Sequence, residues 1–243
     1  MRKLISFCLH GGKAKYCQGF YENLPLAEKF YPEWEVILFH DNTVPTAWLD
    51  KYKEADVEIH NVDYCGLHPT AYRFLACNLP EIEGMSKTER VIFRDADSRL
   101  SQREAEAVKE WEDSGMGLHA MRDHPHHNND NYPIFAGMFG LVLSELGDFD
   151  VLQHLLAYQG GPKRWNLSRN KRQNWGIDQH FLRDTIYQKF FNNKSILIHT
   201  VCEKRFDFEV DFPNPRNKNK NFVGEIFDYK NGKEERGPQW KDL

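Results

Sequence analysis

The chain contains 243 residues, of which 40% are hydrophobic and 28% are charged, and its formal net charge is −4. This length can bury the core of one ordinary domain, and an aromatic content of 14% argues against intrinsic disorder. A slightly acidic chain with a pI near 6.3 lacks the concentrated positive charge that binds phosphate backbones, so we expect no nucleic acid partner. No apolar run approaches the roughly 18 residues of a membrane-spanning helix, so we also expect that the protein is not integral to a membrane.

The N-terminus resembles a secretion signal only superficially. Arg2 and Lys3 precede an apolar run that is too short, and no small-residue cleavage site follows, so residues 3–9 are interpreted as a buried strand. The five cysteines are odd in number, scattered and without a C-x-x-C pair, which disfavours a disulfide framework and a zinc site. These features predict a cytoplasmic protein.

Strand-like and helix-like segments alternate through the first half of the chain. The apolar patterns predict strands over residues 3–9, 35–40, 57–62 and 90–93, and helices over residues 16–31, 46–53 and 69–79. Strands separated by helices of this length imply right-handed βαβ crossovers. The predicted fold is therefore α/β, with a mostly parallel central sheet flanked by helices.

The second half continues with further segments of both kinds. The patterns predict helices over residues 102–111, 144–158 and 177–191, and strands over residues 117–121, 134–143 and 195–199. Gly137 interrupts the second of these strands, and Ser144 is a candidate N-cap of the helix that follows it. Residues 160–174 are interpreted as a basic, polar loop, and residues 213–243 as a tail on the surface.

Polar residues follow the predicted strands at the points where the strands end. His10 and Gly11 follow the first strand, Asp41 the second, and Asp95 to Asp97 the fourth. In sheets of this class ligands bind beyond the carboxyl ends of the strands, and glycine allows a ligand to approach the backbone closely. These residues are therefore expected to line one binding edge.

The Asp95-Ala96-Asp97 motif carries the most chemical information. Two carboxylates two residues apart, directly after an apolar strand, can hold a hard divalent cation. A nucleotide diphosphate needs such a cation, because negative charge develops on the diphosphate oxygen when it leaves. The motif is common by chance, and its other interpretation is a solvated turn that caps the next helix.

The order of these features resembles the GT-A-fold glycosyltransferases, specifically a subgroup found in bacterial polysaccharide loci and large DNA viruses. Three segments carry the resemblance, which extends over residues 4–228: residues 93–99 (FRDADSR), 119–127 (HAMRDHPHH) and 135–140 (FAGMFG). The resemblance implies a single domain over residues 1–243. Residues 1–100 would form its nucleotide-binding half and residues 101–212 its acceptor and catalytic half.

The resemblance also implies a metal and nucleotide site. Asp95, Asp97 and a C-terminal histidine, His199, would bind Mn²⁺ or Mg²⁺, and a mixed carboxylate and imidazole set favours Mn²⁺. The residues implied to contact the donor nucleotide are Leu9, His10, Gly11, Asp41, Arg73, Asp95, Ala96 and Asp97. The alternatives are that His199 is a buried strand-end histidine, Asp41 a turn residue and Arg73 a surface helix arginine.

Catalytic residues are implied in the second half. Asp178 would accept the proton of the acceptor hydroxyl, as an inverting mechanism requires, although an acidic residue at a helix start also stabilises the helix dipole. Ile177 precedes it where the family has an acid, so one carboxylate is available. The residues implied to line the sugar pocket are Asp123, His124, Ala136 and Gly137, with Asp123 as a second catalytic candidate.

The predicted function is metal-dependent transfer of a hexosyl or deoxyhexosyl group from a nucleotide-diphosphate sugar, UDP-linked, to a hydroxyl of a glycan or lipid-linked glycan. Docking to a membrane surface stays open. One alternative is a sugar-phosphate nucleotidyltransferase, for which residues 10–13 supply too short a glycine loop. The other alternative is a non-catalytic module that binds a sugar or a nucleotide.

Overall fold

The computed structural model describes residues 2–63, 65–79, 87–129, 131–160 and 176–238. The strands within these ranges are β1 (Arg2–Leu9), β2 (Glu35–His40), β3 (Glu58–Asn61), β4 (Thr88–Arg94), β5 (Leu118–Arg122), β6 (Met138–Val142), β7 (Ile196–Thr200), β8 (Glu209–Val210), β9 (Phe227–Lys230) and β10 (Lys233–Arg236). The α-helices are α1 (Ala14–Phe30), α2 (Thr46–Glu54), α3 (Gln102–Ser114) and α4 (Val151–Gly160). A continuous helical segment, α5, joins Ile177–Phe181, the π-helical turns Leu182–Tyr187 and Gln188–Asn193. Shorter 3-10 helices cover Pro69–Asn78, Pro125–His127 and Leu143–Leu146.

The central sheet has the order β3-β2-β1-β4-β6-β5-β7-β8 in the described part of the chain. The pairs β1–β2, β1–β4, β2–β3, β5–β7 and β7–β8 are parallel, whereas β6 runs antiparallel to both β4 and β5. The prediction of a mostly parallel sheet flanked by helices is confirmed. Because β4 and β5 are both antiparallel to β6, their carboxyl ends lie at the same edge.

Apolar side chains cover both faces of the sheet. In β1 the adjacent residues Leu4 and Ile5 are both fully buried and belong to different clusters, one on each face. Strands that are buried on both faces have continuous apolar sequences, and this is the pattern that predicts β1 and β4. The cluster containing Ile5 includes Phe20 of α1 and Trp111 of α3.

Aromatic rings hold the other face of the sheet against the 3-10 helix Pro69–Asn78. Phe74 of that helix packs edge to face on Phe93 of β4, with 5.5 Å between the ring centres, and Phe93 stacks on Phe139 of β6 at 4.4 Å. Such aromatic pairs contribute about 0.5–1.5 kcal/mol beyond the area that they bury. The cluster fixes the helix that carries Arg73, a candidate site residue.

Several predicted boundaries are wrong. The helix expected over residues 144–158 begins only at Val151, because Leu143–Leu146 is a 3-10 turn and Gly147 has a φ of +56° that ends it. Ser144 is therefore not an N-cap. The segment expected as a strand over residues 134–143 pairs only from Met138, and the predicted tail contains the hairpin β9–β10.

Two further expectations concern other parts of the chain. Most of the loop predicted over residues 160–174 lies outside the described residues. Among the residues that are described, no helix has the length and apolar character needed to cross a membrane. The division into a nucleotide-binding half and an acceptor half stays a prediction.

Candidate active site

Parallel pairing of β1, β2 and β4 brings their carboxyl ends together. Gly11 follows β1, and its N–H donates to Thr43 Oγ1 at 2.7 Å. The Thr43 hydroxyl donates in turn to Asp41, which follows β2 and also accepts the Thr43 N–H at 2.9 Å. Asp41 is buried, so its role in this structure is to link the ends of β1 and β2. Any contact of Asp41 with a nucleotide stays a prediction.

The two aspartates of the motif differ in exposure. The side chain of Asp95 is 46% exposed and that of Asp97 is 11% exposed. Burial and the negative charge of Asp95 both raise the pKa of Asp97. Lys15 of α1 offsets this repulsion, because its Nζ lies 2.8 Å from Asp97 Oδ2.

Arg73 joins the motif to Asp178. Its Nη1 donates to Asp95 Oδ1, and its Nη2 lies 3.9 Å from Asp178 Oδ2. The guanidinium is also fixed by the carbonyls of Thr70 at 3.3 Å and Arg94 at 3.4 Å. Arg73 is buried and is therefore not a surface helix arginine.

Asp178 lies at the start of α5 and is buried. Burial raises its pKa to about 6, the positive charge of Arg73 opposes that rise, and the negative charge of Asp95 adds to it. A carboxylate with this pKa is ionised at neutral pH and binds a proton more readily than an ordinary aspartate. These properties suit a general base.

The segment before β6 closes the site from the other side. A methyl group built on Gly137 would collide with the carboxylate of Asp95, so only glycine leaves room for that side chain. The adjacent N–H of Ala136 donates to Gln179 Oε1 at 3.3 Å. Ala136 and Gly137 therefore lie between the motif and the start of α5, where the resemblance places substrate contacts.

Of the residues predicted to contact the donor nucleotide, some have buried side chains and could contact it only through the backbone. His10 is exposed and stacks on Tyr16, with 6.3 Å between the ring centres. The charge of His10 contributes, after burial, to lowering the pKa of His68, so these two histidines are neighbours. Leu9 and Ala96 are core residues, which leaves only their backbones to contact a ligand.

His199 lies elsewhere, and its expected place beside the aspartates needs correction. The imidazole is fully buried, its Nδ1 is hydrogen bonded to His119 Nε2 at 2.9 Å, and its Nε2 lies 3.4 Å from Glu110. Among the described residues no three His, Cys, Asp or Glu side chains are placed to hold one ion. His199 thus matches its alternative interpretation, a buried strand-end histidine.

Asp123 and His124 also have partners other than those expected. Asp123 is fully buried and accepts from Arg103 at 2.8 and 2.9 Å, from Arg216 at 3.3 Å and from the Val223 N–H at 3.0 Å. His124 is buried against Phe222, with 4.6 Å between the ring centres. Both residues anchor the C-terminal segment, and a catalytic role of Asp123 and a sugar contact of His124 stay predictions that these contacts do not support.

Asp95 and Asp97 fit a divalent cation that substrate phosphates and water would complete. Magnesium sites commonly use one or two carboxylates together with phosphate oxygens, and oxygen ligands suit manganese as well. The exposure of Asp95 leaves room for such ligands. A cation would also relieve the repulsion that raises the pKa of Asp97.

Lys15 is a residue of the candidate site that the sequence patterns do not predict. It follows the glycine turn after β1 and lies in the first turn of α1. Because β1 ends at the same edge as β4, a basic residue at this position could have been expected near the aspartates.

Comparison with solved structures identifies the fold. A crystal structure of S. aureus TarS in complex with UDP matches with a TM-score of 0.52 and 13% identity over 83% of this chain and 59% of that one. Mannosyltransferase PcManGT from Pyrobaculum calidifontis, in complex with GDP-Man and Mn²⁺, matches with a TM-score of 0.51 and 13% identity over 89% of this chain and 58% of that one.

The chain has a glycosyltransferase fold. It spans about three fifths of the length of these two structures. A glycosyltransferase involved in glycosylation of the major capsid of PBCV-1 gives a TM-score of 0.46 and 11% identity over 82% of each chain. No protein family profile and no characterised protein sequence matches the chain.

Proposed function

We propose that the protein is a metal-dependent glycosyltransferase, which moves a hexosyl or deoxyhexosyl group from a nucleotide-diphosphate sugar to a hydroxyl of a glycan. The observation that carries this proposal is that Arg73 contacts both Asp95 and Asp178 at the ligand-binding edge of a glycosyltransferase fold. Group transfer needs a donor site and a base held in fixed relative positions. The buried Arg73 meets that requirement.

Asp95 and Asp97 form the donor side of the proposed site. They would hold Mn²⁺ or Mg²⁺, which when bound neutralises the charge that develops on the leaving diphosphate. The Mn²⁺ bound to PcManGT supports manganese for this chain. We propose a UDP-linked donor, which the UDP complex of TarS supports, and the GDP-Man complex of PcManGT makes GDP the first alternative base.

Asp178 forms the acceptor side. The acceptor oxygen attacks the anomeric carbon while Asp178 accepts the hydroxyl proton. The bond from the anomeric carbon to the diphosphate oxygen breaks, and its electron pair leaves with the nucleoside diphosphate. A single displacement of this kind inverts the anomeric centre. A correctly placed base typically accelerates such a step by about 10²–10⁴-fold.

The acceptor completes the proposed reaction. We propose as acceptor a glycan or a lipid-linked glycan, used by a cytoplasmic enzyme that docks peripherally on a membrane. Ten basic residues would attract an anionic acceptor: five lie between residues 163 and 172, outside the described residues, and five lie between residues 204 and 220.

The first test is calorimetric binding of UDP, GDP and their sugars with and without Mn²⁺. The proposal predicts binding of one nucleotide that needs the metal, followed by metal-dependent release of that nucleotide diphosphate from its sugar donor. Metal-dependent binding without turnover, with or without glycan acceptors, would favour a binding module. Absence of binding by folded protein would contradict the proposal.

The second test separates binding from chemistry. Asp178→Asn keeps the shape of the side chain but cannot accept the proton, so we expect donor affinity within about threefold of the wild type and a loss of turnover of 10² or more. Asp184→Asn, a carboxylate on the same helical segment that pairs with Arg183, is the control and should change neither. Equal losses of donor affinity and turnover in Asp178→Asn would rule out its role as base.

A further inference from the structure

Each aspartate of the motif is paired with a basic side chain, and these two basic side chains differ in burial and in the number of groups that hold them in place. Arg73, on Asp95, is buried and held by two backbone carbonyls. Lys15, on Asp97, has a 24% exposed side chain, and its described partners are Asp97 and the ring of Tyr16, 4.8 Å from Nζ. Moving Lys15 away from Asp97 therefore breaks fewer interactions than moving Arg73 away from Asp95.

The position of Lys15 is unfavourable for a lysine unless it meets an anion. Lys15 is the second residue of α1, a helix of 17 residues whose first turn contains no acidic residue. The amino end of a helix carries partial positive charge, so a cation there is destabilised by the helix dipole. Asp97 is the anion that compensates for this in the free protein.

A divalent cation and Lys15 would compete for the same carboxylate. The Lys15 ammonium lies 2.8 Å from Asp97 Oδ2, an oxygen that a cation bound by the motif would use. When a cation takes that oxygen, the ammonium loses its anionic partner and is repelled by the cation. The four-carbon stem of lysine lets the ammonium move to another anion within a few ångströms.

We propose that Lys15 is a donor-binding residue, which Asp97 holds in the free protein and which cation binding releases to contact the donor diphosphate. This inference rests on the proposed function. A diphosphate bound to a cation at Asp97 would lie beside the first turn of α1, where Lys15 and the partial positive charge of the helix end favour an anion. Lys15 would thus couple cation binding to nucleotide binding.

The test is calorimetry on Lys15→Met, which keeps the length and apolar stem of the side chain and removes the charge. Removal of the competing cation should tighten binding of Mn²⁺ alone by about threefold or more. The same substitution should weaken binding of UDP in saturating Mn²⁺ by about tenfold or more, because a charge-assisted contact to phosphate is lost. Uridine, which has no phosphate, should bind equally to both proteins.

Two further variants control for charge and for folding. Lys29→Met removes a lysine from the last turn of the same helix, beside Phe30, and should change neither affinity. Lys15→Arg keeps the charge and should retain most of the UDP affinity. Lys15→Met leaves Asp97 without its counter-charge, so its melting temperature in the absence of ligand should fall, whereas those of Lys15→Arg and Lys29→Met should match that of the wild type. All variants should be folded at the temperature of the titration.

The outcomes distinguish this inference from the proposed function. Wild-type UDP affinity in Lys15→Met, or weaker binding of Mn²⁺ alone, would overturn the role of Lys15 and leave the proposed function standing. If the wild type binds neither UDP nor GDP in the presence of Mn²⁺, the proposed function fails and the inference fails with it.

Discussion

Two strands of the sheet end in an arginine that is followed by an aspartate, but the two aspartates lie in different environments. β4 ends at Arg94 and is followed by Asp95, and β5 ends at Arg122 and is followed by Asp123. Both arginines are buried in ion pairs, Arg94 with Glu104 at 2.9 Å and Arg122 with Glu209 at 2.6 Å. The aspartates differ, because the Asp95 side chain is 46% exposed and Asp123 is fully buried.

The difference in exposure between Asp95 and Asp123 is caused by residues that are distant in the sequence. Arg216 and Val223, from the C-terminal segment 93 and 100 residues later, cover Asp123 and satisfy its carboxylate. At β4 the described part of this segment is hydrogen bonded to the backbone of the motif, where the Phe227 N–H donates to Asp97 O at 2.7 Å. The Asp95 carboxylate is thus left open to a ligand, whereas Asp123 has become a structural anchor.

The largest expected effect is on stability, from Asp123→Asn. This substitution leaves Arg103 and Arg216 without their buried counter-charge, and breaking a buried ion pair typically costs about 3–5 kcal/mol. We expect a loss of this size in urea unfolding. Asp113→Asn, in an exposed pair with Lys109, is the control and should cost less than about 0.5 kcal/mol. A loss equally small in Asp123→Asn would contradict its role as an anchor.

The next effect is on binding, from Asp97→Asn. The substitution removes a cation ligand, so we expect Mn²⁺-dependent nucleotide affinity to fall by about 100-fold or more while stability changes little. The loss of the anion beside Lys15 is offset because burial already disfavours the charged form of Asp97, so the free energy of unfolding should change only modestly. Calorimetry and urea unfolding of the same sample separate the two properties. Loss of stability with retained nucleotide affinity would mean that Asp97, like Asp123, is structural.

A smaller effect is expected from Gly137→Ala. The added methyl group would displace the Asp95 carboxylate, and we expect Mn²⁺-dependent nucleotide binding to weaken by about tenfold. Gly160→Ala is the matched control, because a methyl group there meets nothing within 4 Å. Unchanged nucleotide affinity in Gly137→Ala would show that the position of Asp95 does not matter for the donor.

The smallest effect concerns pH and the region around Asp123. Burial, followed by the charges of His124 and His126, lowers the pKa of His127 to about 3, and its Nδ1 accepts the Asp123 N–H at 3.1 Å. As the pH falls, the unfolded chain therefore binds a proton at His127 at a higher pH than the folded chain does. The stability that neutral His127 contributes is complete above pH 6.5 and is lost as the pH falls toward 3.

His127→Asn should therefore flatten the decline in unfolding free energy, by about 1 kcal/mol between pH 6.5 and about 5.5. His154→Gln, at an exposed histidine, should leave the slope unchanged. An identical slope in the wild type and His127→Asn would contradict a half-buried, neutral His127.

The sequence predicts those parts of the fold that depend on local patterns. The apolar runs of β1 and β4 and the aspartates that follow β4 were recognised because burial on both faces and the position at a strand end leave a local pattern. The helix expected from residue 144 failed because Gly147 adopts a positive φ, which glycine permits but does not require.

The site was harder to predict because its contacts are non-local. Asp95 and Asp123 follow a strand-ending arginine alike, and only the path of the C-terminal segment distinguishes them. The contact between Lys15 and Asp97 joins residues from separate βαβ units, so the sequence around either residue does not predict it. His199 was assigned by resemblance, and its pairing with His119 could be known only from the sheet register.

The proposed function depends above all on a divalent cation that Asp95 and Asp97 hold for a nucleotide diphosphate. The most direct measurement is a crystal structure of the protein with Mn²⁺ and UDP, in which anomalous scattering locates the metal. We expect one anomalous peak within coordination distance of both aspartates and of the diphosphate. A peak at His199 and Glu110, with none at the aspartates, would contradict it.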